Sequence, residues 1–140
     1  MKTIVLFYSY SGRTKILAAM KAMELNADIE EITEVKKMSV LKAYIVGGFY
    51  ALRRKRVKIN PIKANLSDYE QIIIMAPVWA GLPAPAFNSI KRHIPSGKKI
   101  ELIMVSAGGG TKKSAEKTKA FFTNRGCEVT GYTDVNAHKK

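Results

Sequence analysis

The chain opens on an unbroken apolar run, Thr3-Ile4-Val5-Leu6-Phe7-Tyr8. Its β-branched and aromatic make-up predicts a strand buried on both faces. Hydroxyls and a glycine follow at once in Ser9-Tyr10-Ser11-Gly12-Arg13-Thr14, the chemistry of a turn and helix cap. Ile16, Met20 and Met23, with Leu17 beside them, then recur at helical spacing. Ala27 to Ile32 reads as a short second strand despite its acids. Val40, Leu41, Tyr44, Ile45, Phe49 and Leu52 predict a second helix from about Ser39 to Arg54, interrupted by Gly47-Gly48 as a kink or a close-packing notch.

After a connecting loop from Asn60 to Ser67, Gln71-Ile72-Ile73-Ile74-Met75-Ala76 gives the clearest strand, expected to stop at Pro77. A loop rich in glycine and proline, Pro77 to Pro85, precedes a short helix reaching about His93. Lys99 to Ser106 reads as a fourth strand, followed by Ala107-Gly108-Gly109-Gly110-Thr111. A last helix spans Ser114 to Arg125, with Gly126 placed as its C-terminal cap. Cys127 to Thr133 makes a fifth strand before a lysine-rich tail. Strands alternate with helices throughout, which demands right-handed crossovers and a mostly parallel sheet covered on both faces. The first, third and fourth strands, the most apolar, belong at its centre.

Length and composition narrow the class. A chain of 140 residues fits one domain, 1–140, and its 46% hydrophobic and 25% charged residues suit a globular protein stable without staples. Cys127 is the only cysteine and reads as a core thiol; with His93 and His138 far apart in sequence, neither a disulfide nor a zinc cluster is expected. The first apolar run is too short for a signal peptide, and Pro77, Gly81, Pro83 and Pro85 break the longest uncharged stretch, so a cytoplasmic protein without a membrane span is expected. Charge changes the picture more. Lysine and arginine number 24 against 11 acids, a formal net charge of +13. Asp28, Glu30, Glu31 and Glu34 form an acidic patch, while Arg53, Arg54, Lys55, Arg56 and Lys58 form a basic run, either a solvated helix end or a surface for an acidic partner.

Ligands of open parallel sheets bind beyond the C-terminal strand ends, where chain order reverses. The loops after the first, third and fourth strands converge there, and each has a specific composition. Ser9, Ser11 and Thr14 offer hydroxyls, Gly12 permits close backbone approach, and the free N–H groups of a helix start suit a dianionic phosphate. An ordinary hydroxyl cap would look the same. Trp79, the only tryptophan, sits in Pro77-Val78-Trp79-Ala80-Gly81-Leu82-Pro83, where it can stack on a flat heterocycle or pack into the core. The glycines at 108–110 let backbone donors reach a ring edge, or form a plain turn. Neither a dinucleotide fingerprint nor a Walker A pattern is present.

Ser9-x-Ser11-Gly12-x-Thr14 resembles the phosphate loop of the flavodoxin family, and Pro77-Val78-Trp79-Ala80-Gly81 with Pro83 and Pro85 resembles the flavin-ring loop of its short bacterial members. The similarity extends over the whole chain and is most specific in these two loops. It implies an α/β flavodoxin-like three-layer sandwich whose five-stranded parallel sheet has the order 2-1-3-4-5. It further implies flavin mononucleotide (FMN), its phosphate held by Ser9, Ser11, Gly12, Arg13 and Thr14, with Tyr10 also among the cofactor-binding residues. The ring would pack against Pro77, Val78, Trp79, Ala80 and Gly81, with Ala107, Gly108, Gly109 and Gly110 lining its pyrimidine end.

Two departures bear on activity. Carrier flavodoxins are typically acidic, whereas this chain is strongly basic, and the aromatic usual in their third loop is replaced here by glycines. Three functions stay open on this footing. The first is an electron carrier docking on a redox partner protein, acidic in view of the basic surface. The second is a reductase passing hydride from NAD(P)H to a quinone or similar small acceptor across an open flavin face. A basic binding module without flavin, contacting nucleic acid through Arg53 to Lys63, is the third and would be non-specific and salt-sensitive. A response-regulator domain would need aspartates where Ser9 and Pro77 stand, and a small tyrosine phosphatase a cysteine in the first loop.

Overall fold

In the computed structural model, residues 2–35, 57–106 and 110–136 are described. The helix expected from Ser39 to Arg54, the basic run up to Arg56, the loop residues Ala107, Gly108 and Gly109, and the tail beyond Asn136 lie outside them.

The described chain runs β1 (Thr3–Phe7), α1 (Arg13–Leu25), β2 (Asp28–Glu31), a 3-10 turn (Leu66–Asp68), β3 (Gln71–Trp79), β4 (Leu82–Pro83), α2 (Pro85–Ile90) with a 3-10 extension (Lys91–His93), β5 (Lys99–Ser106), α3 (Ala115–Thr123) and β6 (Glu128–Asn136). The sheet order is β2-β1-β3-β5-β6, with β4 pairing off β3. All pairings along that path are parallel, so the five long strands keep the expected order and only the two-residue antiparallel β4 is additional. From β1 the chain steps outward to β2 and then returns across β1 to β3. That reversal opens a crevice at the C-terminal ends of β1 and β3.

Alternation along the central strands builds two apolar layers. Ile4, Leu6, Ile72, Ile74, Ile100, Leu102 and Met104 point to the side covered by Phe87 and Ile90 of α2 and Phe122 of α3. Val5, Phe7, Ile73, Met75, Ile103 and Val105 point to the opposite side, where Ala18 and Ala22 of α1 meet them. Each fully buried aliphatic side chain contributes about 1.5–3 kcal/mol, which is why near-continuous apolar runs take the central positions.

The structure corrects several expectations. β3 does not stop at Pro77 but continues to Trp79. Pro77 is the last residue of β3 to pair with β5, opposite Val105; its carbonyl accepts the Ala84 N–H, and Val78 and Trp79 turn to pair with β4 instead. A residue without an N–H is tolerated where a ladder ends. β6 is longer than expected, and between Ile100 and Glu101 its register slips past Thr130, whose hydroxyl donates to the Ile100 carbonyl. The Ile16, Met20 and Met23 stripe does not face the sheet: these are 64%, 61% and 82% exposed, while Thr14, Ala18 and Ala22 are buried. Small side chains let α1 lie close on the sheet, and the bulky stripe is turned outward. Cys127 is buried as expected, its thiol donating to the Pro95 carbonyl. No described helix is long and apolar enough to cross a membrane.

Candidate functional site

The phosphate-loop candidates follow β1 directly and carry the chain into α1. Gly12 stands at the helix N-cap with φ +100°, and a Cβ placed there would meet nothing within 4 Å, so conformation rather than crowding selects glycine. The Ser9 hydroxyl oxygen accepts from the N–H groups of Gly12 (3.1 Å) and Lys15 (3.2 Å). Ser9 therefore performs the hydroxyl cap across the loop and marks the centre toward which these donors point. The first-turn N–H groups of α1 have no carbonyl of their own helix to bond, and the helix dipole adds positive potential at the same place. Ser11 and Arg13 are exposed at the mouth, whereas Thr14 is buried at the root of the helix.

The second loop is a β-hairpin rather than an irregular loop. Trp79 pairs with Leu82 across a two-residue turn, in which Ala80 has φ 54° and Gly81 φ 76°. Positive φ at both central positions matches the twist of the flanking strands and makes the turn tight. The hairpin holds Trp79 half-buried, its ring edge-on to Tyr10 of the first loop (centroids 5.6 Å apart, planes at 76°) and to Tyr8 at the end of β1 (6.5 Å, 76°). Core packing and ligand stacking are thus not exclusive: one part of the indole joins the core and the rest borders the crevice.

Tyr8 is buried and donates its hydroxyl hydrogen to Glu34. Burial first, and then this bond to a carboxylate, pushes its pKa well above the usual phenol value. A cavity of about 170 Å³ lies beside the pair, between Ser9, Ile32 and Glu34. The other acids of the patch are also engaged: Asp28 accepts from the Tyr69 hydroxyl (2.7 Å), Glu30 accepts from the N–H groups of Lys63 and Ala64 (2.7 and 2.8 Å), and Glu31 lies 3.8 Å from the Lys15 ammonium.

Of the third loop, Gly110 is described, with φ +74°, and leads into buried Thr111. Thr111 donates its N–H (3.1 Å) and its hydroxyl (2.6 Å) to the same carboxylate oxygen of Asp134 on β6. Its hydroxyl oxygen also meets the Tyr132 hydroxyl. The Ser114 hydroxyl lies 3.1 Å from the Gly81 carbonyl and 3.2 Å from that of Thr111, joining the third loop to the hairpin. The structure thus brings Ser9 to Thr14, Pro77 to Gly81 and Gly110 to one end of the sheet. Sequence reasoning missed Tyr8, Glu34, Thr111, Ser114 and Asp134. Only Ser114 and Thr111 carried a local signal, as hydroxyls flanking the start of a helix.

No known family model matches the chain. A relative of uncharacterized function from Archaeoglobus fulgidus is 21% identical over 126 residues, covering 90% of this chain and 80% of its own. Among solved structures, a Lactobacillus acidophilus flavoprotein in complex with FMN superposes with a TM-score of 0.80 at 22% identity, over 97% of this chain and 94% of that one. Oxidised flavodoxin 2 from Bacillus cereus gives 0.59 at 17% identity, over 100% and 88%. A flavodoxin, the WrbA-like protein of Agrobacterium tumefaciens, gives 0.61 at 16% identity, over 91% and 74%. At such identities the likeness establishes the fold, and the fold is flavodoxin-like.

Proposed function

We propose that this protein binds FMN without a covalent bond and serves as a redox protein through it. The observation that supports this best is the convergence of a helix start at Gly12 and a hairpin-mounted Trp79 on one crevice, with Tyr10 of the first loop edge-on to the indole. The loop around Gly12 would hold the phosphate, Trp79 would border the ring, and the loop at Gly110 would line its far edge. The Lactobacillus acidophilus flavoprotein, of the same fold over nearly the whole chain, was crystallised with FMN. Bound FMN supplies one- and two-electron transfer, and the protein supplies position and charge.

Between carrier and reductase, one observation favours a second reading. Residues 107–111 contain no aromatic side chain, so Trp79 can cover one ring face and nothing in that loop covers the other. An open face suits hydride exchange with NAD(P)H and delivery to a small acceptor such as a quinone. The carrier reading instead draws on the +13 charge, which would favour an acidic partner protein in the cytoplasm. The absorbance spectrum of the purified protein before and after adding FMN tests the common core of both. Absence of a protein-bound flavin spectrum would refute it. Rapid bleaching of the bound flavin by NADH or NADPH then selects the reductase, and no bleaching selects the carrier.

A further inference from the structure

The crevice has a part whose role the binding of FMN alone does not define. Asp134 lies near the C-terminal end of β6, outside all three loops, yet it holds one of them. A single carboxylate oxygen accepts both the N–H and the hydroxyl hydrogen of Thr111. Because the threonine proton goes to the carboxylate, the contact between the two hydroxyls runs the other way, with Tyr132 donating to Thr111. Thr111 is 1% exposed, so these bonds secure the only described exit from the glycine loop. Gly110 packs directly on the clamp: a Cβ there would stand 3.5 Å from the Asp134 carboxyl carbon.

The connection continues to the hairpin. Ser114 donates its N–H to the Thr111 carbonyl (2.9 Å), and its one hydroxyl proton is shared between that carbonyl and the carbonyl of Gly81. Gly81 is the second turn residue of the hairpin that carries Trp79. Asp134 is thereby tied through Thr111 and Ser114 to both loops that would flank a flavin ring.

We propose that Asp134 is a positioning residue that sets the orientation of the flavin ring by clamping Thr111. This rests on the reading of the crevice as an FMN site. Its requirement is an acceptor oxygen at that point rather than a negative charge, so asparagine can serve and alanine cannot.

The test uses the full chain with Asp134→Ala, Asp134→Asn and Thr111→Val, each titrated with FMN and with riboflavin and followed by amide hydrogen exchange. Asp134→Ala should weaken both ligands alike, by about tenfold, since the loss is at the ring and not at the phosphate; one charge-assisted bond of ~1.5 kcal/mol corresponds to that factor. It should also move the visible flavin band toward that of free FMN and speed exchange at the Thr111 amide. Asp134→Asn should restore affinity to within threefold of wild type, together with the band position and slow exchange. Thr111→Val, which keeps the N–H and removes the hydroxyl, should fall between. Wild-type affinity and band position in Asp134→Ala would overturn the proposal, as would an asparagine variant as impaired as the alanine one. Should the wild-type protein not bind FMN, the ring role falls with the reading beneath it. Unchanged Thr111 exchange in Asp134→Ala would overturn the clamp itself, with or without flavin.

Discussion

Two glycines allow the proposed phosphate role of the first loop to be tested apart from mere backbone strain. Gly12 (φ +100°) begins α1 inside the crevice, and Gly126 (φ +80°) follows the end of α3. A Cβ at either position meets nothing within 4 Å, so Gly12→Ala and Gly126→Ala both act through conformation rather than through a clash. Holding an L-residue in left-handed backbone costs about 1–2 kcal/mol. The lower entropy of the unfolded chain returns roughly 0.4–1 kcal/mol of that. A net loss on the order of 1 kcal/mol is expected in each variant, seen as a lower urea midpoint at unchanged slope. The ligand measurements then diverge. In Gly12→Ala the loop relieves strain by rotating away from positive φ, which turns the Gly12 and Lys15 donors off their common centre; FMN should weaken at least tenfold and riboflavin, which lacks the phosphate, less than threefold. Gly126→Ala should bind both as wild type does. Equal stability loss with unchanged FMN affinity in Gly12→Ala would refute the assignment of the loop to the phosphate.

The remaining predictions concern the ring, the core and the surface. Adding FMN should quench the emission of Trp79 strongly, and emission that stays constant through saturation would place the ring away from the hairpin. Tyr69, buried and donating to Asp28, has its pKa pushed from 10.0 up to about 12, by that hydrogen bond first and by burial second. The fold favours its neutral form, so this stabilisation is complete below pH 10 and is lost as pH rises through about 12; Tyr69→Phe should remove that share of the alkaline drop in melting temperature, and identical profiles would contradict it. Converting Arg53, Arg54 and Arg56 to Gln should slow electron delivery to an acidic partner without changing FMN affinity, whereas rates that ignore ionic strength in the wild type would return the basic run to a solvated helix end.

The central sheet was legible because β1, β3 and β5 bury both faces, a condition that only unbroken apolar runs satisfy. Strand order came from resemblance to flavodoxins, and the register pairing Ile4 with Ile72 and Ile72 with Ile100 bears it out. Periodicity marked α1 as a helix without showing which stripe meets the sheet. Ile16, Met20 and Met23 have the right spacing, yet so do Thr14, Ala18 and Ala22, and close approach to a sheet favours the smaller set. The hairpin escaped notice because Ala80-Gly81 is a weaker turn signal than Asn-Gly or Asp-Gly, and because a proline ordinarily ends a strand. The clamp could not be read at all: Thr111 and Asp134 are 23 residues apart and meet only through the pairing of β5 with β6.

The fate of the acids explains how so basic a chain keeps an ordered crevice. Asp28, Glu30 and Glu34 are taken up by Tyr69, the Lys63–Ala64 backbone and Tyr8, and Asp134 by Thr111. Glu31, Glu101 and Glu116 pair with Lys15, Lys21 and Lys119. Among the described residues, then, seven acids have named internal partners, and four of those seven bond to neutral groups. Glu34 and Asp134 hold Tyr8 and Thr111 beside the crevice, whereas Asp28 bonds Tyr69 at the opposite end of the sheet. Arg13 at the mouth and Lys112 and Lys113 beside the clamp are among the exposed cations. The field of the formal net charge of +13 attracts an anionic ligand at long range, which raises its rate of capture and makes that rate fall with added salt. The same field acts on the flavin once bound: a reduced ring that carries negative charge gains from nearby cations, and the acidic surface of a carrier flavodoxin would oppose it. Under the proposed binding of FMN, the net positive charge and the absence of an aromatic from residues 107–111 would both favour the reductase reading over the carrier.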